Sequence, residues 1–171
     1  MNNMSKNQPI SSVDVIPSDT INIPEPGSYL SGASSTNNLT LTTAGAKFVD
    51  GTSSVGQYQV VAGGDVVIAG TEMALITSVT GNTTLTLQAP GITAAAPYNY
   101  KIFRGNGGIP GTNEGNSGYS LYVGGTGDVT AITQQGEEIV MKNIGNASFI
   151  PQQVIRVKAA GTTASDIKAL S

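Results

Sequence analysis

The sequence contains no cysteine, no histidine and no tryptophan. Without cysteine there is no disulfide framework and no thiolate chemistry, and cysteine usage carries no information on the redox compartment. The missing histidine removes the usual general base, the commonest transition-metal ligand and the near-neutral pH switch. Charge is also scarce, at 11% of residues against about 25% in ordinary soluble domains. Eight lysines and arginines are scattered along the chain, the net charge is −3, and no basic cluster suits the phosphates of a nucleic acid. No run of about eighteen apolar residues is present, so no membrane-spanning helix is expected. The opening stretch MNNMSKNQPISSVDVIPSDT has no apolar core of a secretory signal.

What is abundant is glycine, 22 of 171 residues, with threonine, serine, alanine, valine and asparagine. β-branched residues fit a pleated surface and glycine supplies the positive φ of tight turns. The composition predicts an all-β chain, large enough for one domain or two small ones.

The patterning divides it. Residues 1–11 are polar and expected to be loose. Val13–Ile16 and Ile21–Ile23 are short extended runs among Pro17, Pro24 and Pro26, which are unsuited to a central strand. An arm lying along a sheet edge fits them, and GSYLSGASSTNN (27–38) reads as linker. From Leu39 strands and turns recur every eight to twelve residues. LTLTT, QYQVV, Val66–Ile68, MALITSV, Thr84–Leu87 and YNYKIFR form a block ending at Arg104. Residues 105–118 hold six glycines in fourteen and read as a linker. Beyond it, Leu121 and Val123 lead through Gly-Gly-Thr-Gly-Asp to Val129 and Ile132 in what reads as a hairpin. GEEIVMKNI and a long strand at 152–159 follow. Helical periodicity is confined to 163–170, and residues 162–170 read as a second strand or short turn completing the sheet.

The long strand places Val154, Arg156 and Lys158 on one face and Ile155, Val157 and Ala159 on the other, which predicts a central strand covered twice. The chain also stays apolar almost to its end, at Val157, Ile167 and Leu170. Such a terminus is expected inside a sheet or against a neighbouring subunit, since loose ends are usually polar. The predicted organisation is an arm and linker (1–37) packed in part on the C-terminal block, a β-module (38–104), a glycine-rich linker (105–118) and a β base domain (119–171). The expected fold is a small β-sandwich or jelly-roll-like base carrying an inserted small β-barrel or sandwich module.

Individual polar residues have plain readings. Asp65 and Asp128 follow glycines and are expected to set turns, since Ca²⁺ would need further oxygens that no repeat supplies. Glu137 and Glu138 are adjacent, so on a strand they face opposite ways, unlike the paired carboxylates of a glycosidase. A solvated strand edge suits them. Arg156, inside an apolar run, calls for a carboxylate or carbonyl partner, with Asp166 a candidate. Tyr98 and Tyr100 share one strand face, near Phe103. Core packing or an oligomer contact explains them best, and an aromatic shelf for a sugar ring is the alternative. GNGGIPG lacks the Lys-Ser/Thr of a phosphate-binding loop. No nucleophile has a recognisable base beside it. An enzyme, a cofactor and a metal site are therefore not expected.

The last fifty residues, LYVGGTGDVTAIT…GEEIVMKNIGNASFIPQQVIRVKAAGTTASDIKALS, resemble the spike base proteins of gene transfer agents and related tailed phages. The matching positions are Leu121–Gly124, Gly127, Asp128, Pro151, Val154, Arg156, Val157, Ala159, Gly161–Ala164, Ile167, Ala169 and Leu170. The tetrapeptide PSDT at 17–20 also fits, although about a hundred residues here separate it from LYVG, and Ser171 replaces a final aromatic. Residues 39–104 are similar, more loosely, to small β-modules of phage structural proteins. The resemblance implies a virion structural protein on the head exterior, made in the host cytoplasm and acting as a spike base, decoration or cement protein. Implied partners are the major capsid protein, further copies in a trimer or pentamer, and a spike or fibre protein, with neither nucleic acid nor membrane. The expected interface residues are Val13, Val15, Ile16, Ile21, Ile23, Tyr98, Tyr100, Arg156 and Leu170. A neck, collar or baseplate station, or a glycan-binding adhesion module, are the alternatives.

Overall fold

The computed structural model describes residues 11–27, 29–49, 61–105 and 118–171. Residues 1–10 of the expected loose start (1–11), most of QYQVV and all but the ends of the glycine-rich linker lie outside these residues, while Ser11 hydrogen-bonds with Ser171. The described chain is all-β, with no helix and two antiparallel sheets. Twelve strands follow in order: β1 (Ser12–Asp14), β2 (Tyr29–Ser34), β3 (Thr40–Thr42), β4 (Val66–Ala69), β5 (Glu72–Val79), β6 (Thr84–Leu87), β7 (Tyr98–Phe103), β8 (Tyr119–Gly125), β9 (Gly127–Thr133), β10 (Glu138–Ile144), β11 (Ser148–Val157) and β12 (Ser165–Leu170).

One sheet has the order β2-β7-β4-β5-β6-β3. Its inward positions alternate along each strand, as in β7, where Tyr98, Tyr100 and Ile102 are buried while Asn99 and Lys101 are exposed. They enclose a core with Leu30, Leu41, Phe48, Val67, Ile76, Leu85 and Ile92. The two edge strands approach each other: Ser35 N–H donates to the Thr42 carbonyl at 2.8 Å, and the Thr43 hydroxyl to the Ala33 carbonyl at 3.0 Å. These bonds curl the sheet toward a barrel and shield its edges.

Strand β2 falls where a linker was expected. Small residues hid it, since Gly32 and Ser34 carry little hydrophobic signal. Gly32 faces Tyr100 across the pair, and a Cβ there would lie 2.5 Å from the tyrosine hydroxyl oxygen, so the ring fills the space the glycine leaves.

The other sheet has the order β1-β12-β8-β11-β9-β10. Its core gathers Val13, Ile23, Tyr119, Leu121, Val123, Val129, Ala131, Ile150, Val154, Val157, Ile167 and Ala169. β12 lies between β1 and β8, with Leu170 opposite both Ser12 and Ser120. The last strand of the chain is thus bonded on both sides.

The expected hairpin across 121–132 does not form. β11 lies between β8 and β9, and the Gly124–Gly127 stretch bends a nearly continuous ribbon without reversing it. Glycine is needed there because a foreign backbone passes close: a Cβ on Gly127 (φ +154°) would lie 2.4 Å from the Ala164 nitrogen. The hairpin is β9–β10, closed by the Gly136 N–H on the Thr133 carbonyl at 2.9 Å.

β11 is central, yet its faces do not alternate as expected. Register shifts between Ile150 and Val154 and between Val154 and Arg156 turn Val154 and Val157 into the same core.

The arm crosses the second sheet, with N–H groups of Val15, Ser18 and Ile23 donating to the carbonyls of Ile167, Val157 and Ile155, each at 2.8 Å. Glu25 N–H then reaches the Arg104 carbonyl at 2.9 Å, at the end of β7. Phe103, on the outer face of the first sheet, is buried in the second core, where Tyr29 and Ile68 pack beside it. This apolar contact joins the two sheets.

Candidate functional site

The start of β9, the β10 edge and residues 161–164 meet at one corner of the second sheet. Asp128 is its centre. Its N–H donates to the Thr163 hydroxyl at 2.9 Å, and its carbonyl accepts the N–H groups of Thr163 and Ala164 at 2.9 and 3.1 Å. One carboxylate oxygen accepts the Lys142 ammonium at 2.7 Å and the other the Asn143 N–H at 3.0 Å. Lys142 first, and then the Asn143 N–H, hold the Asp128 pKa below its ordinary value. Alongside, the Thr130 N–H donates to the Thr162 hydroxyl at 3.0 Å, and Gly161 (φ +87°) passes so close that a Cβ would sit 2.7 Å from the Thr130 hydroxyl. Asp128 therefore locks the β9–β10 hairpin to the Gly161–Ala164 corner, beyond the turn-setting expected of it.

The PSDT segment joins the same cluster. Arg156 donates from Nε to the Asn22 side-chain oxygen at 2.8 Å and from Nη1 to the Asp19 carbonyl at 3.0 Å. The Asp19 carboxylate accepts the Ala160 N–H at 3.1 Å. Asp166, the partner expected from the sequence, is not the residue Arg156 meets: it sits in β12 with φ 51°, and the arm supplies the acceptors instead. Burial depresses the Arg156 pKa, and the negative charge of Asp19 opposes that shift.

The expected interface residues separate into two groups. Val13, Ile23, Tyr98 and Tyr100 are buried in the chain's own cores. They cannot present a contact surface in this fold, because their side chains turn inward. The proposed aromatic shelf is absent for the same reason. The Tyr100 hydroxyl pairs with that of Thr43 at 2.8 Å, and burial raises the pKa of both phenols. Val15, Ile16, Ile21, Arg156 and Leu170 keep part of their surface exposed.

A groove of about 530 Å³ runs between the sheets, lined among others by Val13, Asp14, Ser31, Ile68 and Lys101. The Lys101 ammonium stands 4.5 Å from the centre of the Tyr29 ring, which in turn packs on Phe103 at 5.3 Å. Asp14 is ion-paired with Lys168. The charged groups in this groove already have partners. Among the described residues no group of three or more acidic side chains could hold a metal ion.

Other polar clamps escaped the sequence reading. Glu72 accepts the N–H groups of Thr93 and Ala94 at 2.9 and 3.0 Å and the Thr93 hydroxyl, which together lower its pKa, the hydroxyl contributing most. Buried Asp65 sets its turn as expected, accepting the Ala62 N–H at 2.8 Å, and beyond that accepts the Gly105 N–H at 3.1 Å, which ties the turn to the end of β7. Glu138 lies on the edge strand β10, as a solvated edge would have it, and pairs with Lys158 at 2.6 Å. Nothing in local sequence names partners so far away. Phe149 (57% exposed) and Val140 (51%) are also unexpected surface residues. The broken alternation of SFIPQQV was the available sign for Phe149.

No protein-family model, curated protein or solved structure matches this chain.

Proposed function

We propose that this chain is a structural protein of a tailed phage or phage-like particle, bound to the capsid exterior as a head spike base, decoration or cement protein. The observation that carries the reading is the meeting of distant segments. Arg156 donates to the Asp19 carbonyl of PSDT, and the Gly127–Asp128 pair packs on the Gly161–Ala164 corner, so pieces that resemble one family are neighbours in the fold.

The mechanism proposed is binding and stapling, with no chemical step. Two packed β cores supply a platform, and partly exposed Val15, Ile16, Ile21 and Leu170 on the arm and β12 offer apolar contact to a capsid subunit. A surface so poor in charge favours contacts that survive salt, since screening weakens exposed ion pairs and leaves apolar burial intact. The partners are the major capsid protein, further copies of the chain and a spike or fibre protein.

The test is co-sedimentation of the full chain with purified heads and, separately, with purified tails. Binding to heads that persists in high salt, and falls for the Ile16→Asp/Ile21→Asp double variant, supports the reading. Binding to tails alone moves the protein to a neck or baseplate station. Binding to neither removes the virion reading.

A further inference from the structure

Strand β10 ends its sheet, and among the described residues no strand covers its far side. It reads Glu138-Ile139-Val140-Met141-Lys142: acid, three apolar residues, base. We propose that this edge pairs with the same edge of a second copy, antiparallel and centred on Val140, joining two six-stranded sheets into one.

The backbone parity comes from the hairpin. Thr133 N–H donates to the Glu137 carbonyl at 2.8 Å, so Glu137 is a bonded residue of the β9–β10 ladder. Bonded residues alternate in an antiparallel pair, so 137, 139 and 141 bond inward. The N–H and C=O groups of Glu138 and Val140 therefore point away from the sheet, ahead of the register shift that lies between Met141 and Ile144. A two-fold axis through Val140 makes the two valines exchange both of their bonds.

Charge selects that register. Centred on Val140, Glu138 lies opposite the second copy's Lys142 and Lys142 opposite its Glu138, while Ile139 meets Met141. Sliding the centre to Glu138 or Lys142 sets like charges face to face, which is unfavourable for directly opposed residues. Sliding by one residue places a charge opposite Val140. Only one arrangement satisfies both charges, and it covers the 51% exposed Val140 with its own kind.

The pairing also extends ion pairs already present. Lys158 holds Glu138 at 2.6 Å and Asp128 holds Lys142 at 2.7 Å. Across the new edge these become a row alternating in sign: Lys158, Glu138, then Lys142 and Asp128 of the second copy. By two-fold symmetry the row occurs twice. The contact is isologous, and its five residues a side place it in the small, concentration-dependent class. It does not depend on the capsid reading, because it requires only two copies of the chain.

The experiment is sedimentation velocity of the full chain over a wide concentration range, with amide exchange read at Val140. A dimer should grow with concentration and protect the Val140 amide. Glu138→Lys and Lys142→Glu should each weaken self-association about tenfold, by replacing two attractive pairs with two repulsive ones. An equimolar mixture of those two variants should recover it, because each then meets its opposite. Val140→Pro, which removes an outward N–H that the fold does not use, should abolish the dimer while the far-ultraviolet circular dichroism stays that of the native chain. A mixture no better associated than either variant alone overturns the proposal. So does a wild-type chain that stays monomeric, or an oligomer that Val140→Pro leaves unchanged.

Discussion

Replacing Ile167 by alanine tests the placement of the last strand. Ile167 is 4% exposed, points into the second core and lies opposite Val123. The change deletes three buried carbons, worth about 0.8 kcal/mol each in transfer. A cavity term adds to this, because a strand held on both sides cannot collapse inward, so the loss should be about 3 kcal/mol within the usual ~2–5. In a chain of this size that is a large part of a stability of ~5–15 kcal/mol, and it should lower Tm by roughly 6–12 °C. Its neighbour Lys168 points outward, and its ion pair with Asp14 is well exposed. Lys168→Ala should therefore change stability by less than about 1 kcal/mol. Urea unfolding followed by NMR signals from residues 119–170 measures both variants. If Ile167→Ala were no more damaging than Lys168→Ala, β12 would not be in the described register, and the account of the buried terminus would fail.

Gly127→Ala should destabilise the second sheet by more than about 2 kcal/mol, since its Cβ would collide with the Ala164 backbone. Thermal unfolding checks this, and Gly45→Ala is the control, having open space at its Cβ and only the strain of a positive φ. Arg156→Ala should free the arm at a loss of ~1.5–3 kcal/mol, the usual worth of hydrogen bonds from a charged group. Faster proteolysis between 17 and 24 would report it. Asp128 titrates lower in the fold than in the unfolded chain, so its contribution is complete above its ordinary value of 3.8 and is lost as pH falls through the lowered one. Glu72 behaves alike relative to its ordinary 4.5. Carboxyl chemical shifts followed from pH 6 downward should give both midpoints below those ordinary values, and Lys142→Ala should bring Asp128 back toward its own.

Strands were legible wherever a period of two ran unbroken, as in Thr40–Thr42, Thr84–Leu87 and Tyr98–Phe103. β2 was not, because Gly32 takes its packing from a tyrosine on another strand. The β8–β9 bend read as a hairpin because glycines between two alternating runs serve a reversal and a close backbone approach equally well. Of the candidate site, Asp128 read as a turn residue, but its contacts with Lys142, Thr163 and Ala164 were not visible. Arg156 was recognised as needing a partner, yet Asn22 and Asp19 stand more than a hundred residues away in the chain. The aromatic pair at Tyr98 and Tyr100 could be assigned to one face, with no local sign of which way that face turned.

By itself the sequence determined the class of the protein: all-β, and without the side chains for histidine or thiol chemistry. Those properties follow from residue chemistry and local periodicity, which act within a few neighbours. Tertiary structure alone decided which strands became neighbours, which face of β7 was buried, and that Asp128 would hold a corner rather than only a turn. Such choices depend on hydrogen bonds and packing between residues remote in the chain. A glycine or an aspartate encodes the capacity for such a contact and not the identity of the partner.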